Sequence, residues 1–119
     1  MALVGHSLGG RTALLAGQDH EVSAVAALNA YVYDGDAPDL SGRQVLLVHG
    51  DADRVADPAR VDRLAQRLRA GGATVAQRTV EGGKHGMVGH PRDFDGRAAW
   101  FVRTWLEQFP PGTRRGVAG

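Results

Sequence analysis

The sequence predicts an α/β fold, with a parallel sheet of about four strands flanked by helices on both faces. Three observations carry this prediction. Short apolar segments alternate with amphipathic segments along the 119-residue chain. Residues 22–30 are almost continuously apolar, as strands buried on both faces of a parallel sheet are. Polar, glycine-rich stretches separate the segments, and such alternation gives parallel strands joined by right-handed crossovers.

The first half of the chain predicts two strands and one helix. Residues 2–4 form the end of a strand, and residues 8–18 form a helix that offers Leu8, Ala13, Leu14 and Leu15 for packing. Residues 22–30 are the second strand. Residues 31–43 contain Asp, Gly and Pro at short intervals, so they predict a loop.

The second half repeats the pattern. Residues 45–48 predict a strand that ends at residues 49–51, and residues 73–80 predict another. Between them, Asp57 and Pro58 form a helix start, and Gly71 ends the helix. The apolar face of this helix comprises Val61, Leu64, Ala65 and Leu68. Residues 81–92 are a loop rich in Gly and His, and residues 94–109 form a last amphipathic helix.

Composition excludes several classes of function. The formal net charge is +1, so no strong field attracts nucleic acid or an anionic membrane. The chain has no cysteine, which excludes disulfides and thiolate metal sites. It also has no apolar run of the roughly 18 residues that a membrane span needs. We therefore expect one domain over residues 1–109, a tail over residues 110–119, and a cytoplasmic location.

A compact motif follows the first strand. The run Gly5-His6-Ser7-Leu8-Gly9 has the form GxSxG between a strand and a helix. In such a turn the serine sits at a strained apex, where its hydroxyl is accessible. We expect Gly5 and Gly9 to leave room for the helix and the neighbouring strand. The amides that begin the helix, Leu8 N–H among them, point at a negative charge developing beside the serine.

A serine hydroxyl becomes a useful nucleophile only beside a base, and the base needs a carboxylate to orient it. Asp53 follows the strand at 45–48, and His85 follows the strand at 73–80. Because the carboxyl ends of parallel strands meet at one edge of the sheet, we expect Ser7, Asp53 and His85 to lie together. Asp51 and Asp57 are alternatives for the acid, and His90 is an alternative for the base.

Three segments resemble those of the α/β-hydrolase superfamily. They are Gly5-His6-Ser7-Leu8-Gly9-Gly10, His49-Gly50-Asp51-Ala52-Asp53 and Gly83-Lys84-His85. The resemblance is greatest to its dienelactone-hydrolase-like and esterase- or lipase-like branches. It implies a serine hydrolase that cleaves a small ester through an acyl-enzyme, with Ser7 as nucleophile, Asp53 as acid and His85 as base. It implies no metal or organic cofactor, and a peptidase activity is compatible with it.

The resemblance covers residues 2–109, which correspond to the C-terminal half of such a hydrolase. We therefore expect a truncated product or a misassigned start. The missing half would supply the second oxyanion donor, and losing one such donor costs about 10²–10³ in rate. It would also leave the strand at 2–4 with an unpaired edge, through which the chain could self-associate.

Two other functions stay open. One is a catalytically impaired fragment that keeps the three residues but lacks part of the oxyanion hole. The other is a nucleotide-binding module, because Gly5 to Thr12 nearly fits the phosphate loop GxxxxGK[ST], with Arg11 in place of the lysine. Arg and Lys are not equivalent at that position.

Overall fold

The predicted α/β fold is confirmed. The computed structural model describes residues 1–86 together with Gly96, Ala99 and Arg103. The described elements are β1 (Ala2–His6), α1 (Leu8–Ala16), β2 (Ala24–Leu28), β3 (Gln44–Gly50), α2 (Pro58–Ala70) and β4 (Thr74–Val80). All strand pairs are parallel, and the sheet order is β1-β2-β3-β4.

The strands run in register, which places their carboxyl ends at one edge of the sheet. His6 pairs with Leu28, and Leu28 pairs with Val48. The loops that follow these strands therefore start side by side, as sites at the carboxyl edge of parallel sheets require.

Both described helices pack on one face of the sheet. Leu14 of α1 and Leu64 of α2 join Val25 and Leu47 in one buried cluster. The opposite face is buried as well, around Leu28 and alternate residues of β2 and β3. The predicted helix at 94–109 and the tail at 110–119 lie outside the described residues, except that Gly96, Ala99 and Arg103 are helical and exposed.

The second helix begins and ends as the sequence predicts. The Asp57 carboxylate accepts a hydrogen bond from the backbone N–H of Ala59 at 2.9 Å, and Pro58 occupies the first turn. Its buried residues are the four predicted apolar ones, Val61, Leu64, Ala65 and Leu68. Side-chain capping and the apolar stripe thus determine this element locally.

Two predictions about the first helix and the third strand need correction. Leu8 does not pack in the core but is 57% exposed, because it is the first residue of α1 at the sheet edge. The third strand continues through His49 and Gly50, because Gly50 still pairs with Val80 in the register.

The strands differ in burial. Every residue of β2 is buried, whereas Val4 of β1 is 50% exposed. Within the described residues, β1 has one neighbouring strand and lies at the edge of the sheet. In the same part of the chain, no helix has the length and apolar character needed to cross a bilayer. The cytoplasmic location stays a prediction.

Candidate active site

Ser7 joins β1 to α1 in a conformation that few non-glycine residues adopt. Its φ is 58° and its ψ is −122°. Its carbonyl oxygen accepts hydrogen bonds from the N–H groups of Gly10 (3.0 Å), Arg11 (3.2 Å) and Tyr31 (3.0 Å). Such strain costs about 1–3 kcal/mol and persists only where the surroundings impose it. Here α1 and the segment after β2 hold the serine in place.

The glycines of the motif have unequal importance. A Cβ on Gly5 would lie 2.1 Å from the carbonyl oxygen of Gly9, so only glycine fits there. A Cβ on Gly9 would have no heavy atom within 4 Å, which corrects the prediction that Gly9 makes room. The close approach to the neighbouring segment occurs instead at Gly10, whose Cβ would lie 3.0 Å from that of Ala30.

Ser7, His85 and Asp53 form a continuous chain of hydrogen bonds. Ser7 Oγ lies 2.8 Å from His85 Nε2, and His85 Nδ1 lies 2.9 Å from Asp53 Oδ2. Since a carboxylate only accepts hydrogen bonds, Nδ1 carries the proton, and Nε2 is left to accept from the serine hydroxyl. These are the three residues that the sequence selects, and each comes from the end of a different strand.

The Asp53 carboxylate is buried, with 5% of the residue exposed. Its Oδ1 accepts hydrogen bonds from the N–H groups of Val55 (2.9 Å) and Ala56 (2.8 Å). Burial raises the pKa of this carboxyl, but the hydrogen bonds from Ala56, His85 and Val55 together outweigh burial and hold its pKa below the ordinary value. Asp53 is therefore ionised at neutral pH beside the imidazole.

The alternative acids have other partners. Asp51 Oδ1 accepts a hydrogen bond from Gly82 N–H at 2.8 Å, and Asp57 caps α2. Neither contact involves His85. The alternative base, His90, lies outside the described residues.

A second histidine supports Asp53 from behind. His49 is buried, its Nε2 donates to the carbonyl of Ala56 at 2.8 Å, and the same nitrogen lies 3.3 Å from Asp53 Oδ2. Its Nδ1 has no hydrogen-bond partner among the described residues. Burial is the main reason that the pKa of His49 is lowered, so this imidazole is neutral at pH 7.

The loop that carries His85 lies directly against the end of β3. A Cβ on Gly50 would lie 2.1 Å from the carbonyl oxygen of Gly83, and that oxygen accepts a hydrogen bond from Ala52 N–H at 3.0 Å. Two backbones touch here because neither residue has a side chain. The sequence does not predict this crossing, although Gly50 and Gly83 both lie in segments that resemble those of the hydrolases.

Two side chains hold the backbone of His85. His6 Nε2 lies 2.8 Å from the His85 carbonyl oxygen, and Asn29 Nδ2 lies 3.1 Å from the same oxygen. The motifs in the sequence do not predict the role of Asn29. The available signal was a lone amide at the end of an otherwise apolar strand.

Arg11 is engaged away from the motif. Its guanidinium donates two hydrogen bonds to Asp36, at 2.8 and 2.9 Å, and lies 4.6 Å from the centre of the Tyr33 ring. The hydrogen bond from Arg11 is the main cause of the lowered pKa of Asp36. A phosphate loop needs a cation directed at its ligand, and this guanidinium instead ties α1 to the loop at 31–43.

A cavity of about 100 Å³ is lined mainly by residues of the loops after β2 and β3, and Ser7, Asp53 and His85 are not among its lining residues. Tyr31, whose N–H donates to the Ser7 carbonyl, lines one side. Ala56, whose N–H donates to Asp53, lines another. The remaining lining residues are Val32, Val55, Asp57 and Arg60.

Comparisons with known proteins identify the fold. No family model matches the chain, and no curated protein matches it. A solved α/β-hydrolase candidate of unknown function from Agrobacterium tumefaciens matches with 24% identity and a TM-score of 0.76 over 90% of this chain. Arabidopsis thaliana SOBER1 matches with 19% identity and a TM-score of 0.70 over 86% of it. The esterase PE8 matches with 23% identity and a TM-score of 0.68 over 86% of it.

These likenesses show that the chain has an α/β-hydrolase type of fold. The matches cover 51% of the Agrobacterium protein, 51% of SOBER1 and 49% of PE8. The chain therefore spans about half the length of these three solved proteins.

Proposed function

We propose that this chain is a serine hydrolase of the esterase kind, related to the dienelactone-hydrolase-like and esterase- or lipase-like branches. Ser7 is the nucleophile, His85 the general base and Asp53 the acid. The observation that carries the proposal is the pair of distances around the imidazole, 2.8 Å to the serine hydroxyl and 2.9 Å to the carboxylate. Solved proteins of similar fold described as esterases support the same class of reaction.

In the first step, Ser7 Oγ attacks the carbonyl carbon of an ester while His85 Nε2 takes the hydroxyl proton. The ionised Asp53 stabilises the imidazolium that forms, because the two groups already share the Nδ1 proton. The bond to the alcohol oxygen then breaks. The alcohol leaves with the proton from His85, and the acyl group stays on Ser7.

In the second step, water attacks the acyl group while His85 takes a proton from that water. The bond to Ser7 Oγ breaks, the serine recovers its proton, and the acid is released. Leu8 N–H begins α1, where backbone donors lack partners within the helix, so it is available to the developing oxyanion.

The experiment described below also distinguishes this proposal from other candidate functions. An impaired fragment is consistent with a chain that spans 51% of the Agrobacterium protein and 49% of PE8. A nucleotide-binding module would need the segment from Gly5 to Thr12 to bind phosphate, and the engagement of Arg11 by Asp36 weighs against it. A peptidase is a further alternative, since one solved protein of similar fold is described as a puromycin-hydrolysing peptidase.

The decisive experiment is covalent labelling with a fluorophosphonate, followed by hydrolysis of p-nitrophenyl acetate and of a p-nitroanilide. The chain has three serines, at positions 7, 23 and 41, which provide matched controls. We expect labelling to disappear in Ser7→Ala and to remain at the level of the unmodified chain in Ser41→Ala. Asp53→Asn should slow labelling by about 10⁴-fold, as expected when the imidazole is held in the wrong tautomer.

Circular dichroism establishes that each variant is folded before it is labelled. A folded chain that takes no label would overturn the proposal and favour an impaired fragment. ATP retained after gel filtration, without labelling, would favour nucleotide binding. Cleavage of the anilide faster than the ester would identify a peptidase.

A further inference from the structure

Asn29 is unusual in both its place and its backbone. It directly follows β2, it is fully buried, and its φ is +44°. Among the described residues, Ser7 is the other non-glycine residue with a positive φ. Such a conformation is uncommon for a side chain to adopt, and asparagine tolerates it better than most residues.

The Asn29 side chain joins three segments that are far apart in the sequence. Its Nδ2 donates hydrogen bonds to the carbonyls of Lys84 (3.0 Å) and His85 (3.1 Å). Its Oδ1 accepts one from Gly50 N–H at 2.8 Å. One amide thus links the end of β2, the end of β3 and the loop that carries His85.

His6 adds a second donor to the same carbonyl. Because a carbonyl oxygen only accepts, His6 Nε2 donates to the His85 oxygen at 2.8 Å. The two rings also lie close together, with their centroids 5.2 Å apart. The His85 carbonyl therefore receives one hydrogen bond from each of two side chains, on strands that neighbour each other in the sheet.

We propose that Asn29 is a positioning residue that sets the imidazole of His85 through its backbone, with His6 as its partner. Because His85 lies in a loop, its imidazole can change orientation whenever the backbone of that loop moves. Fixing the carbonyl of that residue restricts this motion, and a displacement of about 1 Å costs about 10²-fold in rate. The role rests on the proposed function of His85, but the position of the imidazole can be measured without turnover.

The test compares Asn29→Asp with Ser23→Ala. Asn29→Asp keeps an oxygen for Gly50 N–H and about the same volume, but it loses the two donors. Ser23→Ala removes the other buried polar side chain of this region, just before the opposite end of β2. Three quantities are measured on the full chain: the fluorophosphonate labelling rate, the proton resonance of His85 Nδ1–H, and the free energy of unfolding.

We expect Asn29→Asp to lower the labelling rate 10- to 100-fold, with the affinity for the probe unchanged. We also expect it to shift or broaden the Nδ1–H resonance, because the hydrogen bond to Asp53 is no longer held at one length. Ser23→Ala should leave both readouts unchanged even if it destabilises the chain. His6→Ala should give a smaller loss, and His6→Gln, which keeps a donor, should restore the rate.

Labelling and resonance that stay as in the unmodified chain in folded Asn29→Asp would overturn the proposal. A loss in Ser23→Ala as large as that in Asn29→Asp would also overturn it, since both effects would then follow stability. Should Asn29→Asp fail to fold, the comparison of His6→Ala with His6→Gln tests the proposal instead. Only a positioning role predicts that His6→Gln restores the labelling rate that His6→Ala lowers. Should the unmodified chain take no label, the resonance alone decides, which separates this proposal from the proposed function.

Discussion

The first two strands end in the same way but serve the site differently. Each is followed by a non-glycine residue with a positive φ, Ser7 after β1 and Asn29 after β2. The two strands are paired, and Ser7 N–H donates to the carbonyl of Leu28 at 3.0 Å. Yet in the part of the chain that the structure describes, β1 is the partly exposed edge of the sheet, while β2 is buried throughout.

This difference indicates a division of labour across the sheet. Under the proposed function, the edge strand presents the Ser7 hydroxyl to the substrate. In the same proposal, the buried strands hold the groups that orient the imidazole from within, where hydrogen bonds are least disturbed by water. This comparison predicts that variants at the edge change the fit of the turn that carries Ser7. It predicts that variants behind β2 and β3 change the position and the charge of the groups around the imidazole.

The largest effect on stability should come from a side chain added at Gly5, where two backbone segments of the turn after β1 are in contact. Gly5→Ala places a Cβ 2.1 Å from the Gly9 carbonyl oxygen, and neither backbone can move without disturbing Ser7. We expect a loss of about 1–3 kcal/mol in the free energy of unfolding, measured by urea denaturation, together with loss of labelling.

Gly9→Ala is the matched control, two residues after the serine instead of two before it. Its Cβ enters open space, and alanine favours the helix, so we expect a gain of about 0.5–1 kcal/mol with labelling intact. Equal losses in the two variants would contradict the geometry of the turn.

The sequence predicts the site better than it predicts its supports. Ser7, Asp53 and His85 each follow a strand, so strand order alone brings them to one edge. Asn29 and the crossing of Gly50 with Gly83 depend on how the loop after β4 packs on β2 and β3. Such contacts span up to 56 residues, and no local pattern encodes them.

Helix ends show the same limit. Asp57 and Pro58 define the start of α2 through local hydrogen bonding and backbone angles, so the sequence suffices. Leu8 is apolar and helical, but its exposure depends on its lying at the start of a helix beside an edge strand. Periodicity alone therefore counts Leu8 among the residues available for packing.

The second-largest effect should be a pH dependence of the free energy of unfolding, caused by His49 near the end of β3. His49 faces Ala56, Asp53 and His85 in the interior, and burial lowers its pKa below the ordinary 6.5. Below about pH 6.5 the unfolded chain binds a proton that the native chain does not, so stability falls as the pH falls. Asp53, whose pKa is also lowered, adds a further loss below about pH 3.8.

We expect the free energy of unfolding to decline by at most about 1.4 kcal/mol per pH unit for this one proton between pH 6.5 and 5. His49→Gln should flatten that decline, whereas His20→Gln should leave it unchanged, since the His20 side chain is 87% exposed. Urea denaturation at several pH values measures both. A decline that persists in His49→Gln would assign the proton to another group.

The smallest effect concerns the edge strand itself. The exposed edge of β1, with Val4 half exposed, predicts that a second copy of the chain pairs with it at high concentration. Val4→Lys places a charge on that edge and should shift sedimentation velocity profiles towards the monomer, with little change in unfolding. Val55→Lys, at an apolar residue that is 59% exposed in the loop after β3, should leave association unchanged. A chain that is monomeric at every concentration would show that the edge of β1 does not pair with a second copy. The difference in exposure between β1 and β2 would then matter for the candidate site and not for association between copies.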